Sequence, residues 1–219
     1  MEILISLAIL GIMLTAAAWF FLGQHNSYTG QKERIALQEN ARSAMDFLTA
    51  QLRSAIPSTV TLNGASDITY LSSYDFGIAS ETGAGTTLKD NKKGWDTDQW
   101  QNYKVIITEG TGSSQSRIIS SNTADTLTVA PGWDPIPTAS SVYKIVAEHQ
   151  FLQTGNVIRY RKNASGLKDM TKNVTIFTLT KDAAPTKIDV EITLTTPRKM
   201  ADLGKAWSTT MKSTVQFRN

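Results

Sequence analysis

Hydrophobic and polar positions divide this chain into three regimes. From Ile3 to Leu22 no side chain is charged, and apolar or small residues fill every side of the helical projection. A run of that kind needs about 20 residues to cross a bilayer, and this one has the length. Beyond it the pattern turns one-sided: Leu37, Ala41, Ala44, Met45, Leu48, Leu52 and Ala55 recur at helical spacing as a single stripe. Pro57 ends the pattern, because the residue before a proline avoids helical backbone. A helix over residues 1–56 would be about 80 Å long, with Gly23 and Gly30 as its weak points.

The third regime, rich in Thr, Ser, Gly and Asn, alternates with a period of two. Strands are predicted over residues 103–108, 116–120, 126–130, 142–148, 157–161, 174–180, 187–196 and 208–217. Within "KIDVEITL" the residues Ile188, Val190, Ile192 and Leu194 should share one face and meet a core, the helix stripe being the natural candidate. Runs such as "EGTGSSQ" and "PGWDPIP" read as turns. The expected fold is α+β: a long N-terminal helix packed on an antiparallel β head.

Composition removes several chemistries. The 219 residues include no cysteine, which excludes disulfides, thiolate metal sites and Cys nucleophiles. Lys and Arg number 22 against 19 Asp and Glu, a net charge of +3 that is compatible with an anionic partner without requiring one. His25 and His149 are far apart and outside any metal-ligand spacing, and His149 in "AEHQF" reads as a strand or turn residue. No nucleophile, zinc or phosphate-loop motif appears. Asp90, Asp96 and Asp98 could offer oxygens to Ca²⁺ but lack the order of a calcium loop, so a solvated acidic loop is the default. "RYRK" (159–162) with Lys168 is a weak basic signal for nucleic acid. We therefore expect no enzyme, no cofactor and no metal.

Glu2 stands out against this background. A carboxylate in the middle of an apolar membrane segment costs roughly 2.5–3.5 kcal/mol on insertion scales, so an acid at the end of this run calls for a reason. "MEILISLAILGIM" resembles the start of a mature type IV pilin or type II secretion pseudopilin. That family carries a glutamate at its fifth position, followed by small and aliphatic residues ending in Gly-Ile. Aligning Glu2 on that glutamate sets Ala8 and Gly11 on the family's small positions and implies a few mature residues ahead of Met1. "ARSAMDFLTAQLRSA" and the ending "STVQFRN" are similar to PilW-type minor pilins and J-type pseudopilins. Trp19 stands where many major pilins have a helix proline, which favours the minor type.

The resemblance implies that Glu2 pairs with the N-terminal amine of a neighbouring subunit, with Ala8 and Gly11 as assembly positions. It also implies that Leu37, Ala41, Met45, Leu48 and Leu52 pack the helix onto the head. Residues 1–56 would be the spine (1–22 in a membrane or filament core), and residues 57–80 and 148–219 the pilin-type head. Residues 81–147 would be an inserted β-module, similar to small modules on bacterial and phage surface proteins. In that insert Trp95, Trp100, Tyr103 and Trp133 either form the module's own core, the favoured reading, or an exposed platform for glycan or a neighbouring subunit. The expected function is a structural subunit of an extracellular type IV pilin-like filament, held in the bacterial inner membrane before assembly. Its partners would be its own copies or other pilins, with nucleic acid a weaker expectation. The alternatives are a low-abundance minor pilin or J-like pseudopilin that primes or caps a pilus or periplasmic pseudopilus, and a membrane-anchored glycan- or DNA-binding module.

Overall fold

The computed structural model describes residues 2–182, 186–196 and 206–217. Helix α1 runs from Glu2 to Leu52, 51 residues without interruption at Gly23 or Gly30. A glycine inside a helix costs about 1 kcal/mol relative to alanine, and the helix carries both without a break. The helix stops short of the expected Ile56. Its last turn tightens, with Ser54 N–H donating to Gln51 O and Ala55 N–H to Leu52 O. Strand β2 then captures the chain: Ala55 bridges Ser72, and Ile56 N–H donates to Leu71 O at 2.8 Å. Pro57 opens a short 3-10 turn, Pro57–Thr59, where its fixed φ and missing N–H are harmless.

Among the described residues twelve strands follow, β1 (Thr61–Leu62), β2 (Asp67–Ile78), β3 (Thr87–Lys89), β4 (Lys104–Glu109), β5 (Ser116–Asn122), β6 (Thr126–Ala130), β7 (Val142–Thr154), β8 (Val157–Lys162), β9 (Lys168–Thr171), β10 (Val174–Lys181), β11 (Lys187–Thr195) and β12 (Ser208–Gln216). All pairings are antiparallel. Nine strands form one sheet in the order β1-β2-β7-β4-β5-β6-β3, with β8 also on β7 and β9 on β8. The remaining three form a second sheet, β10-β11-β12. Each strand predicted from the sequence is present; β7 runs six residues further than expected, while β4, β11 and β12 each lose one expected end residue. Strand β2, absent from the expected set, breaks its alternation at Ser73, where a bulge leaves Tyr74 as the extra residue against Val146 and Ile145.

One strand joins two cores. Along one edge β7 pairs with β2 over most of its length; along the other, Val142–Val146 pairs with β4 and His149–Thr154 with β8. Tyr143, Ile145, Ala147, His149 and Phe151 alternate onto one face of β7 and are all buried. Tyr143 and Ile145 belong to a core inside the insert, built with Val105, Ile107, Ile119, Leu127 and three tryptophans. Phe151 belongs to the head core, where Leu37, Ala41, Met45, Leu48 and Leu52 of α1 meet Ile188, Val190, Ile192 and Leu194 of β11. The expected boundary between residues 147 and 148 therefore falls inside a strand, and head and insert share a sheet.

Leu48 is fully buried in the head core. Replacing it by Asp forces an unpaired charge among aliphatic side chains, so Leu48→Asp should cost more than about 4 kcal/mol and make the head protease-sensitive. Ser43→Asp, on the exposed side of the same helix, should change stability by no more than about 0.5 kcal/mol. A protease-resistant Leu48→Asp chain would contradict the packing described.

Candidate functional site

The spine's first half has no cover. Ile3, Ile5, Leu7, Ile9, Leu10, Ile12, Met13 and Leu14 are all more than half exposed, as are Trp19, Phe20, Phe21 and Leu22. Ala8 and Gly11 are exposed among them, and nothing comes within 4 Å of a methyl group built on Gly11. Glu2 is the first helical residue; its side chain lies outside the described residues. The hydroxyl of Thr15 donates back to Ile12 O at 2.8 Å and reaches Gly11 O at 3.1 Å, so it adds no unsatisfied donor to an apolar surface. Burying one such large apolar side chain is worth about 1.5–3 kcal/mol, and the set together on the order of 20 kcal/mol. A helix apolar on all sides belongs in lipid or in a bundle. This one is long and apolar enough to cross a membrane.

Charge begins where the head begins. The ammonium of Lys32 lies 4.6 Å above the Tyr28 ring, and the guanidinium of Arg34 4.3 Å above Trp207, just ahead of β12. From Leu37 onward the stripe is buried.

The insert's aromatics do not form a platform. Trp95 and Trp100 are 7% exposed and Trp133 5% exposed, while Tyr103 is half-buried. The three tryptophans belong to the module's own core, with Tyr103 packed against it, so the exposed-platform reading is corrected. Trp95 Nε1 donates to Asp75 Oδ2 at 2.7 Å, and Lys93 Nζ to Asp75 Oδ1 at 2.7 Å. Burial raises the pKa of Asp75, but these bonds and the Phe76 N–H outweigh it and hold the carboxyl below its usual range. Gly77 is needed because a Cβ there would lie 2.3 Å from Asp90 Oδ2 and 2.6 Å from the Tyr143 hydroxyl that donates to it. Asp90 is thus buried and structural, whereas Asp96 and Asp98 are exposed. Among the described residues no group of three His, Asp or Glu side chains could hold a metal ion.

The sequence reading passed over the joint between head and insert. His149 is 1% exposed and stacks on Tyr70, ring centroids 5.0 Å apart and planes 5° from parallel. Tyr74, aimed by the β2 bulge, lies nearly parallel to the imidazole at 6.5 Å. Nε2 of His149 shares a hydrogen bond with Ser72 Oγ at 2.7 Å, and Nδ1 with the Tyr160 hydroxyl at 2.8 Å. Burial, with the charge of Lys162 nearby, lowers its pKa to about 4, so the ring is neutral at physiological pH. Lys162 itself sits 4.3 Å over the Tyr74 ring and 4.9 Å over Tyr103, and donates to the Tyr103 hydroxyl at 2.8 Å. Burial lowers its pKa, but the bonds to Tyr103 and Tyr74 outweigh this and hold it above the usual lysine range.

Rings therefore run in contact from Phe47 on α1 through Tyr160, His149, Tyr74 and Tyr103 to Trp100 in the insert. The signal that could have found this joint was the alternation of "VYKIVAEHQF", which puts His149 in line with Tyr143, Ile145 and Phe151. "RYRK" proves to be no single basic strip. Arg159 faces away and pairs with Asp169 at 3.0 Å, while Lys162 is caged by tyrosines. Comparison of the chain with known protein families, with curated proteins and with solved structures returns no match.

The neutral, buried His149 makes stability depend on pH in a definite direction. Between about pH 6.5 and pH 4 the unfolded chain takes up a proton on this residue and the folded chain does not, so stability falls as pH falls. The facing groups (Tyr70 and Tyr74 from β2, Tyr160 and Lys162 from β8, Tyr103 from the loop before β4) supply no carboxylate to reverse this. Urea unfolding in detergent at pH 7.5 and 4.5 should show about 2–3 kcal/mol more loss in the native chain than in His149→Gln. Equal losses in the two proteins would contradict a neutral buried imidazole.

Proposed function

We propose that this chain is a structural subunit of a type IV pilin-like filament, held by its N-terminal helix in the bacterial inner membrane and then packed by that helix into the filament core. One observation carries the reading: a single unbroken helix is apolar and uncovered over its first half and forms the core of a β head over its second. The two halves solve different problems. The second half is completed within the chain, so the head is folded before assembly. The first half is completed only by lipid or by other helices.

Moving such a helix from bilayer to bundle keeps its side chains in dry surroundings, so assembly gains from close packing and polar pairing rather than from fresh hydrophobic burial. The exposed small residues Ala8 and Gly11 allow close approach of a neighbouring helix. Glu2 supplies the polar term. A lone carboxylate taken out of water is costly, and breaking a buried pair by removing one partner is strongly destabilising. Pairing with an amine of the next subunit, as the pilin resemblance implies, would make correct stacking the one arrangement in which that cost is offset.

Glu2→Ala removes the pairing while making the helix more apolar. Membrane insertion should be unchanged and the yield of sheared filaments should drop at least about tenfold, equivalent to ~1.4 kcal/mol per subunit added. A normal yield from Glu2→Ala cells would overturn the pairing. Peptide quantification of the same sheared fraction separates a structural subunit, which dominates it, from a priming or tip component, which is present in traces.

A further inference from the structure

Where β8 and β9 meet the loop before β4, residues of the head and the insert line an open cleft of about 490 Å³. That volume lies within the range of small-molecule sites, about 300–1,000 Å³. It is unlike the apolar grooves along the spine, because its lining is polar and basic. Tyr160 and Lys168 are cross-strand partners in β8 and β9 and so share a face, the one that also carries Lys162. Gln101 and Tyr103 line the cleft from the insert, and Asn163 and Ser165 from the turn after β8.

The lining has spare hydrogen-bonding capacity of both kinds. Asn163 Oδ1 accepts the Glu148 N–H at 3.0 Å, which leaves its NH₂ as a donor. Gln101 Nε2 donates to Ser120 O at 3.1 Å, which leaves its carbonyl as an acceptor. Charge is one-sided. Two lysines line the cleft, and none of the described residues that line it is acidic. Asp169, the acid next to Lys168 in sequence, is engaged on the opposite face by Arg159 at 3.0 Å and by Lys172 at 3.9 Å. Lys162 is held by its tyrosine cage, and among the described residues no carboxylate pairs with it. In the flanking turns Asn102 and Asn163 adopt left-handed backbone, at φ 67° and 53°.

We propose that this cleft binds an acidic saccharide. Lys168 and Lys162 would attract its carboxylate, the amides of Gln101 and Asn163 would meet its hydroxyls, and the sides of Tyr103 and Tyr160 would flank its ring. The site draws residues from both the head and the insert, so it exists only because β7 holds the two together. It does not depend on filament formation, and the full chain in detergent tests it.

The experiment is saturation-transfer NMR with glucuronic acid and N-acetylneuraminic acid, with glucose and inorganic phosphate as controls, on the native chain and on Lys168→Gln. Lys168 is exposed, so the variant keeps its fold, and an unchanged circular dichroism melt verifies this. At least one acidic sugar should bind, with affinity reduced about tenfold or more in Lys168→Gln. Glucose should bind at least about tenfold more weakly than the acidic sugar, and phosphate should fail to displace it. No binding by either acidic sugar overturns the proposal. So do equal affinities in the two proteins, equal binding of glucose, or full displacement by phosphate, which would mark a general anion site.

Discussion

Everything in this molecule depends on how the second half of one helix is used. Leu37, Ala41, Met45, Leu48 and Leu52 are consumed in the head core, against Ile188, Val190, Ile192 and Leu194. Because those side chains are committed, the helix is anchored as a rigid rod, and its first half is carried away from the head with nothing to fold back against. A helix of 51 residues is long enough to place its far end roughly 75 Å from its last turn. The apolar surface there is therefore a consequence of the docking geometry: the same interaction that stabilises the head withholds cover from the spine.

The second constraint is the sharing of β7 and β2 between two cores. An insert on flexible linkers could swing; this one is continued from the head by paired backbone. At the crossing point, between Ile145 and Phe151, stands His149 rather than an aliphatic residue. Its two nitrogens tie Ser72 on one neighbouring strand to Tyr160 on the other, and its face stacks on Tyr70. A polar group so placed is satisfied only when β2, β7 and β8 are in register, so it specifies the register as well as filling space.

Much of this was legible in the sequence where one physical period dominates. The helix stripe and the β11 alternation follow from burial on one face, and the residues named from them are those that meet. Strand β2 was hidden because its bulge at Tyr74 shifts the alternation by one, and the helix end was misplaced because capture of Ala55 and Ile56 by β2 is a long-range event. The tryptophans were ambiguous for a related reason. A buried indole and a binding indole have the same local signature, and only the surrounding strands decide between them. Glu2 was legible as an anomaly in an apolar run, and nothing among the described residues covers Ala8 or Gly11. The cleft beside Lys168 could not have been seen at all, since it joins residues far apart in sequence through the turns of two strands.

The central claim is that the uncovered half of α1 is buried by other copies of the chain. The native sequence has no cysteine, so single cysteines report cleanly. The most direct measurement is labelling by a water-soluble maleimide of Leu14→Cys, with Lys172→Cys in the exposed head as reference, in intact sheared filaments and again after detergent disassembly. Position 172 should label in both states and position 14 only after disassembly. Equal labelling of position 14 in intact filaments, or filaments that lack this chain altogether, would contradict it.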